Sequence, residues 1–138
     1  MSKSNLNYKN KRILQIIPNM EIGGAERTVL EITSFLKDTN FSSLVLTSGG
    51  KLIDDLEKAN IEVIKLKIDK KNPYSIIKNF FLFIKIFREK KINLVHVRSR
   101  APAWSAIFAA KKLGIPVLTT WHGHVSNSSF IKKIYNSI

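Results

Sequence analysis

Arg12-Ile13-Leu14-Gln15-Ile16-Ile17-Pro18, followed by Gly23-Gly24-Ala25-Glu26-Arg27, is the stretch that decides the fold. The first run is short and apolar, and it reads as a buried strand. After the glycine pair, Val29, Ile32, Phe35 and Leu36 recur at helical spacing. Strand, glycine loop and helix together present bare amides and the positive end of a helix to an anion. Glycine permits a tight turn, and its missing side chain lets a phosphate or sugar approach the backbone. Two readings stay open for Gly23 and Gly24: contact with a ligand, or a plain strand-to-helix connection in which glycine is common.

Working outward, strand and helix patterns alternate along the chain. Ile13–Ile17 reads as strand one, and a helix follows from about Ala25 to Lys37. Asp38-Thr39-Asn40 breaks it before strand two, Ser43–Thr47, which Ser48-Gly49-Gly50 closes. Lys51–Ala59 is a short helix with Leu52, Ile53 and Leu56 on one face, and Glu62–Leu66 is strand three. Asp69–Pro73 is a polar loop, with Pro73 suited to the first turn of the helix Tyr74–Lys91. Asn93–Val97 is strand four, Ala101–Leu113 a helix of small residues capped by Gly114, and Ile115–Trp121 strand five. Phe130–Ile138 starts a further helix.

Five strands with helical crossovers predict an α/β fold: a Rossmann-like parallel sheet ordered around strand one, with helices on both faces. Strands one, four and five are nearly all apolar and are expected at the centre. Ligands of such sheets bind beyond the C-terminal strand ends. Asn19–Gly24, Arg98–Pro102 and His122–Asn127 are the loops expected there.

The 138 residues suit one domain. No cysteine is present, which excludes disulfides and thiolate metal sites, and three histidines lack ligand-like spacing. Met1–Lys11 is polar and basic, unlike a signal peptide or an anchor, so the cytoplasm is expected. No run reaches the roughly 18 apolar residues of a membrane span. The net charge is +13, from 23 Lys and Arg against 10 Asp and Glu. Such an excess attracts polyanions, or it is a solvated lysine-rich surface.

His122, at the end of strand five, can hydrogen-bond a sugar hydroxyl or phosphate, or shuttle a proton; otherwise it merely caps the strand. His124 has no partner pattern. Arg98 and Arg100 can hold a phosphate or carboxylate bidentately, or be solvated loop residues, and one of the two is expected to be solvated. His96 alternates with Val95 and Val97 and reads as a core or helix-facing histidine; Trp104 reads as core. The helix Tyr74–Lys91 carries an apolar arc wider than one sheet contact needs, punctuated by lysines. It either packs between the sheet and a neighbouring helix or partly dips into an anionic membrane interface. No carboxylate pair has spacing suited to glycosidase acid/base work, and neither a Ser-His-Asp arrangement nor a GxGxxG motif is present. A basic α/β module binding nucleic acid or another polyanion is the alternative class, but no aromatic-basic interleaving supports it.

The stretches Ile13–Pro18, Gly23–Arg27, His96–Ala106 and Gly114–Gly123 together resemble the N-terminal domain of family 4 glycosyltransferases of the GT-B fold, over roughly residues 12–138. Residues 1–11 then form a flexible basic lead. The resemblance implies a retaining hexosyl transfer from a nucleotide sugar to a saccharide or lipid-linked acceptor in envelope polysaccharide or lipopolysaccharide synthesis. It implies no cofactor, no required metal, no nucleic acid and no obligate protein partner, with a position in the cytoplasm at the inner face of the membrane. By position in the family's motifs, Gly23 and Gly24 contact the donor diphosphate or the reacting sugar. His122 contacts the donor sugar as the catalytic residue, and Arg98, Ser99 and Arg100 line the acceptor side. Many relatives carry a second histidine where this chain has Arg98. The family's donor-binding half is expected to be missing here, leaving residues 12–138 inactive alone.

Overall fold

The structure is a computed structural model that describes residues 10–68 and 72–120. Five strands, β1 (Lys11–Ile16), β2 (Phe41–Thr47), β3 (Glu62–Lys65), β4 (Leu94–Val97) and β5 (Val117–Thr119), form one sheet in the order β3-β2-β1-β4-β5. Every pairing is parallel, as the sequence predicts. The helices are α1 (Gly24–Lys37), α2 (Ile53–Lys58), α3 (Pro73–Glu89) and α4 (Arg100–Lys112). His122, its loop to Asn127 and the expected helix at Phe130–Ile138 lie outside the described residues, as does most of the basic lead.

Alternation along the strands divides the interior in two. Leu14, Ile16, Leu44, Leu46, Val95 and Val97 face Phe83 and Phe87 of α3 and the alanines of α4. On the other face Ile17 and Val45 meet Val29 of α1 and Leu52, Ile53 and Leu56 around α2. Helices therefore cover both faces. One expectation is corrected: β5 is an edge strand, not a central one, and Leu118 is 48% exposed. Its composition is apolar, yet among the described residues no helix covers its outer face.

A single device returns the chain from helix to strand three times. Asn60, Lys91 and Gly114 each take a left-handed conformation, with φ of 56°, 53° and 68°. Each is followed by an isoleucine whose N–H reaches back five residues: Ile61 to Leu56 O at 3.0 Å, Ile92 to Phe87 O at 3.0 Å, Ile115 to Ala110 O at 2.8 Å. These are Schellman closures, which satisfy the last helical carbonyls and aim the chain at β3, β4 and β5. At the start of α3, Asn72 Oδ1 accepts from Ser75 N at 2.7 Å and Pro73 opens the helix.

Ser48-Gly49-Gly50 does more than close β2. Ser48 N donates to Pro18 O, Met20 N to Gly49 O and Leu52 N to Met20 O, all within 2.8 Å. Gly50 has φ of +135°, and a Cβ there would collide with the Met20 backbone. Met20 is fully buried, so this clamp fixes the chain leaving β1 on its way to α1.

Two substitutions test these backbone arguments in one urea-denaturation series. Gly50→Ala lowers stability by about 2–3 kcal/mol through strain and collision. Lys91→Gly raises it by about 1 kcal/mol by relieving a left-handed lysine.

Candidate functional site

Parallel neighbours end at the same edge, so the loop after β1 and the end of β4 lie side by side. The polar network of this edge is built from β1, β4 and the residue after β5. Gln15 pairs in register with His96, and His96 with Leu118. Gln15 and His96 alternate with Leu14, Ile16, Val95 and Val97, so they lie on the sheet face that carries α1. Arg98 N donates to Ile16 O at 2.9 Å, and Thr120 N to Val97 O at 3.0 Å, carrying the pairing past the strand ends.

The Arg98 side chain folds back over this pair. Its Nε donates to Gln15 Oε1 at 3.0 Å, and its Nη2 meets His96 Nδ1 at 3.4 Å. His96 Nε2 lies 3.0 Å from Thr120 Oγ1. A guanidinium can only donate, so Nδ1 presents its lone pair and Nε2 carries the ring proton toward the Thr120 hydroxyl. Gln15, His96 and Arg98 are all buried, at 1%, 7% and 7% exposure. Burial first, and the Arg98 charge second, push His96 down from 6.5 to about 4. Burial also lowers Arg98 from its ordinary value.

Of the two readings of Arg98, the solvated loop residue does not hold, because its side chain is buried. His96 is the core histidine that its alternation predicts. Gln15 and Thr120 were not singled out in the sequence. A glutamine inside an apolar strand run was the one signal available for Gln15. Ser99 is half-buried, and Arg100 is the first residue of α4. Trp104, read as core, is only half-buried and stacks on Phe108 with ring centroids 5.9 Å apart.

The glycine pair separates into two roles. Gly23 is the N-cap of α1 with extended backbone, and a Cβ on it would run into the Glu26 carboxylate. Glu26 thus packs against the first turn and complements its positive end. A Cβ on Gly24 would meet nothing within 4 Å, so Gly24 is the open approach to the helix start. Gly23, Gly24 and Arg98 follow neighbouring parallel strands at one edge.

On the opposite face, α3 and α4 leave an open groove of about 660 Å³ lined by Ile76, Ile77, Phe80, Phe81, Phe108, Lys111 and Lys112. Phe83 and Phe87 are buried against the sheet and Ser105 Oγ donates to Ile76 O, so α3 does pack between sheet and α4. Even so, Ile77, Phe81 and Phe108 stay 48–64% exposed. Among the described residues no helix is long and apolar enough to cross a membrane, and no three His, Cys, Asp or Glu gather as a metal site.

Comparison with known proteins follows this geometry. The family model described as Glycosyltransferase Family 4 matches residues 22–138. A crystal structure of a glycosyltransferase from Rickettsia africae ESF-5 is 35% identical with a TM-score of 0.83, covering 94% of this chain and 34% of its own. MurG from Acinetobacter baumannii is 21% identical with a TM-score of 0.69, covering 93% of this chain and 39% of its own. A UDP-GlcNAc 2-epimerase from Neisseria meningitidis bound to UDP-GlcNAc is 17% identical with a TM-score of 0.62, covering 88% and 34%. The last two share the fold. The chain spans 34–39% of the length of these structures. No curated protein sequence matches it.

The network carries a pH signature. Folded His96 stays neutral down to about 4, whereas the unfolded chain titrates near 6.5, so the unfolded state binds the extra proton in between. This contribution is whole above 6.5 and is lost as pH falls toward 4. Urea denaturation is expected to show stability falling by about 2 kcal/mol between pH 7 and pH 5. His96→Asn is expected to flatten that slope.

Proposed function

The chain belongs to glycosyltransferase family 4, and on that premise we propose that it is the acceptor-side domain of an enzyme that moves a hexosyl group from a nucleotide sugar to a saccharide. The observation that supports this reading is that the Gly24 turn and Arg98 follow neighbouring parallel strands at one edge of the sheet. Gly23 and Gly24 present amides toward the donor diphosphate, His122 serves the donor sugar, and Arg98, Ser99 and Arg100 line the acceptor side. The transfer retains anomeric configuration, and no metal or cofactor takes part.

The finer reading places the acceptor on a lipid carrier at the inner face of the cytoplasmic membrane, in envelope polysaccharide or lipopolysaccharide synthesis. What supports it is the groove between α3 and α4. It offers exposed aromatic and aliphatic side chains with Lys111 and Lys112 on its border and no acidic residue in its lining. Lysine stems lie along apolar surface while their ammonium groups reach anionic headgroups. Both helices start at the edge that holds Arg98, which would set the acceptor side near the lipid surface.

Glycosyl transfer needs the leaving diphosphate stabilised and the anomeric carbon held against the acceptor hydroxyl. In the family resemblance that work is shared with a second, donor-binding domain across a cleft. Residues 1–138 alone are therefore expected to give no turnover with radiolabelled UDP-GlcNAc or other nucleotide sugars. Robust turnover that vanishes in His122→Ala would overturn that expectation. Co-sedimentation with liposomes tests the lipid reading: anionic vesicles are expected to carry down the chain and neutral ones not, with Phe81→Ser reducing capture several-fold. Equal capture by both vesicle types, or none, points to a soluble acceptor.

A further inference from the structure

Buried charges in proteins are paired, because an isolated ion loses its hydration without compensation. Arg98 breaks this rule among the described residues. It is 7% exposed, yet it forms no ion pair with any described Asp or Glu. Its contacts are two neutral acceptors, Gln15 Oε1 and His96 Nδ1. No described residue gives Nη1 an acceptor.

The neutrality of both partners is specific. Gln15 stands where a glutamate of the same length would supply a counter-ion at the same 3.0 Å. His96 keeps a lone pair on Nδ1 and so adds no charge of its own. Gln15 is itself locked between Leu14 and Ile16 in a strand paired on both sides, which holds the guanidinium in one orientation. The arrangement fixes a cation and withholds its anion. The helix α4 begins two residues later, and its first amides add positive potential on the same side.

We propose that Arg98 is an anion receptor that takes a phosphoryl or carboxylate oxyanion on the guanidinium edge carrying Nη1. On the acceptor-side reading above, that oxyanion belongs to the acceptor, which is then a phosphorylated or acidic saccharide rather than a neutral one. A planar guanidinium suits both oxyanions, since each accepts two parallel N–H bonds.

The test uses the 138-residue chain, inorganic phosphate and acetate as probes, and chloride to hold ionic strength constant. Binding is read by calorimetry and by the NMR resonance of the Arg98 Nε–H. Phosphate or acetate is expected to shift that resonance saturably. Arg98→Gln is expected to weaken binding at least tenfold. Gln15→Glu, which supplies an internal counter-ion, is expected to do the same while the fold persists in circular dichroism. Equal binding by the wild type and both variants overturns the proposal, because the diffuse lysine charge then accounts for it; so does an unmoved Arg98 resonance. A hexose phosphate or hexuronate bound at least tenfold tighter than its simple anion supports the proposal and names the kind of oxyanion. Equal affinities keep Arg98 as a receptor and remove the acceptor-side reading instead.

Discussion

The structure depends on β1 being hydrogen-bonded in parallel on both sides. Its partners are Phe41–Leu46 of β2 and Leu94–Val97 of β4. Parallel pairing sends the loops after β1, β2 and β4 out of the same edge, where the glycine turn, the Gly49-Gly50 clamp and Arg98 meet. Register does the rest. With Leu14 and Ile16 committed to the α3–α4 core, Gln15 must face the other way, opposite His96. A one-residue slip would drive Gln15 and His96 into that apolar core and expel the leucine and isoleucine. The buried polar trio therefore specifies the register as firmly as the apolar residues do.

Much of this was legible in the sequence. Apolar runs separated by helical periodicity predict the sheet, its parallel sense and the central place of β1. His96 as a core histidine, Pro73 as a helix start and Gly114 as a helix end follow from local chemistry. What could not be read was context. Val117-Leu118-Thr119 has the composition of an inner strand, but composition records what a strand can bury, not what covers it. Lys91 hides the second Schellman turn, because a lysine with positive φ carries no sequence mark. The Gly49-Gly50 clamp depends on Met20 lying beneath it, thirty positions away in sequence terms (about one strand and one helix).

Arg98 is the sharpest case. The sequence leaves Arg98 open as an anion holder or a solvated loop residue and gives no sign of its burial, since arginine is almost never fully buried unless paired. Its burial follows from Gln15 on a different strand, a partner visible only once the sheet order is known. The candidate site was thus legible as a location, the edge beyond β1 and β4, and not as a hydrogen-bond network.

The edge holds two positive features, and the protein treats them in opposite ways. The N-terminus of α1 carries roughly half a charge, and the Glu26 carboxylate already lies against its first turn. An anion placed at Gly24 would meet a helix end whose field is largely answered from within, so the open backbone there offers shape and amide hydrogen bonds more than charge. Arg98 carries a full charge in a setting of low polarisability, with only neutral groups beside it. The many surface lysines compete poorly with it, because exposed charges are screened within about 10 Å at ordinary salt. On the proposal above, selectivity for an anion at this edge falls to Arg98, the buried arginine among the described residues, and the glycine turn contributes room rather than charge.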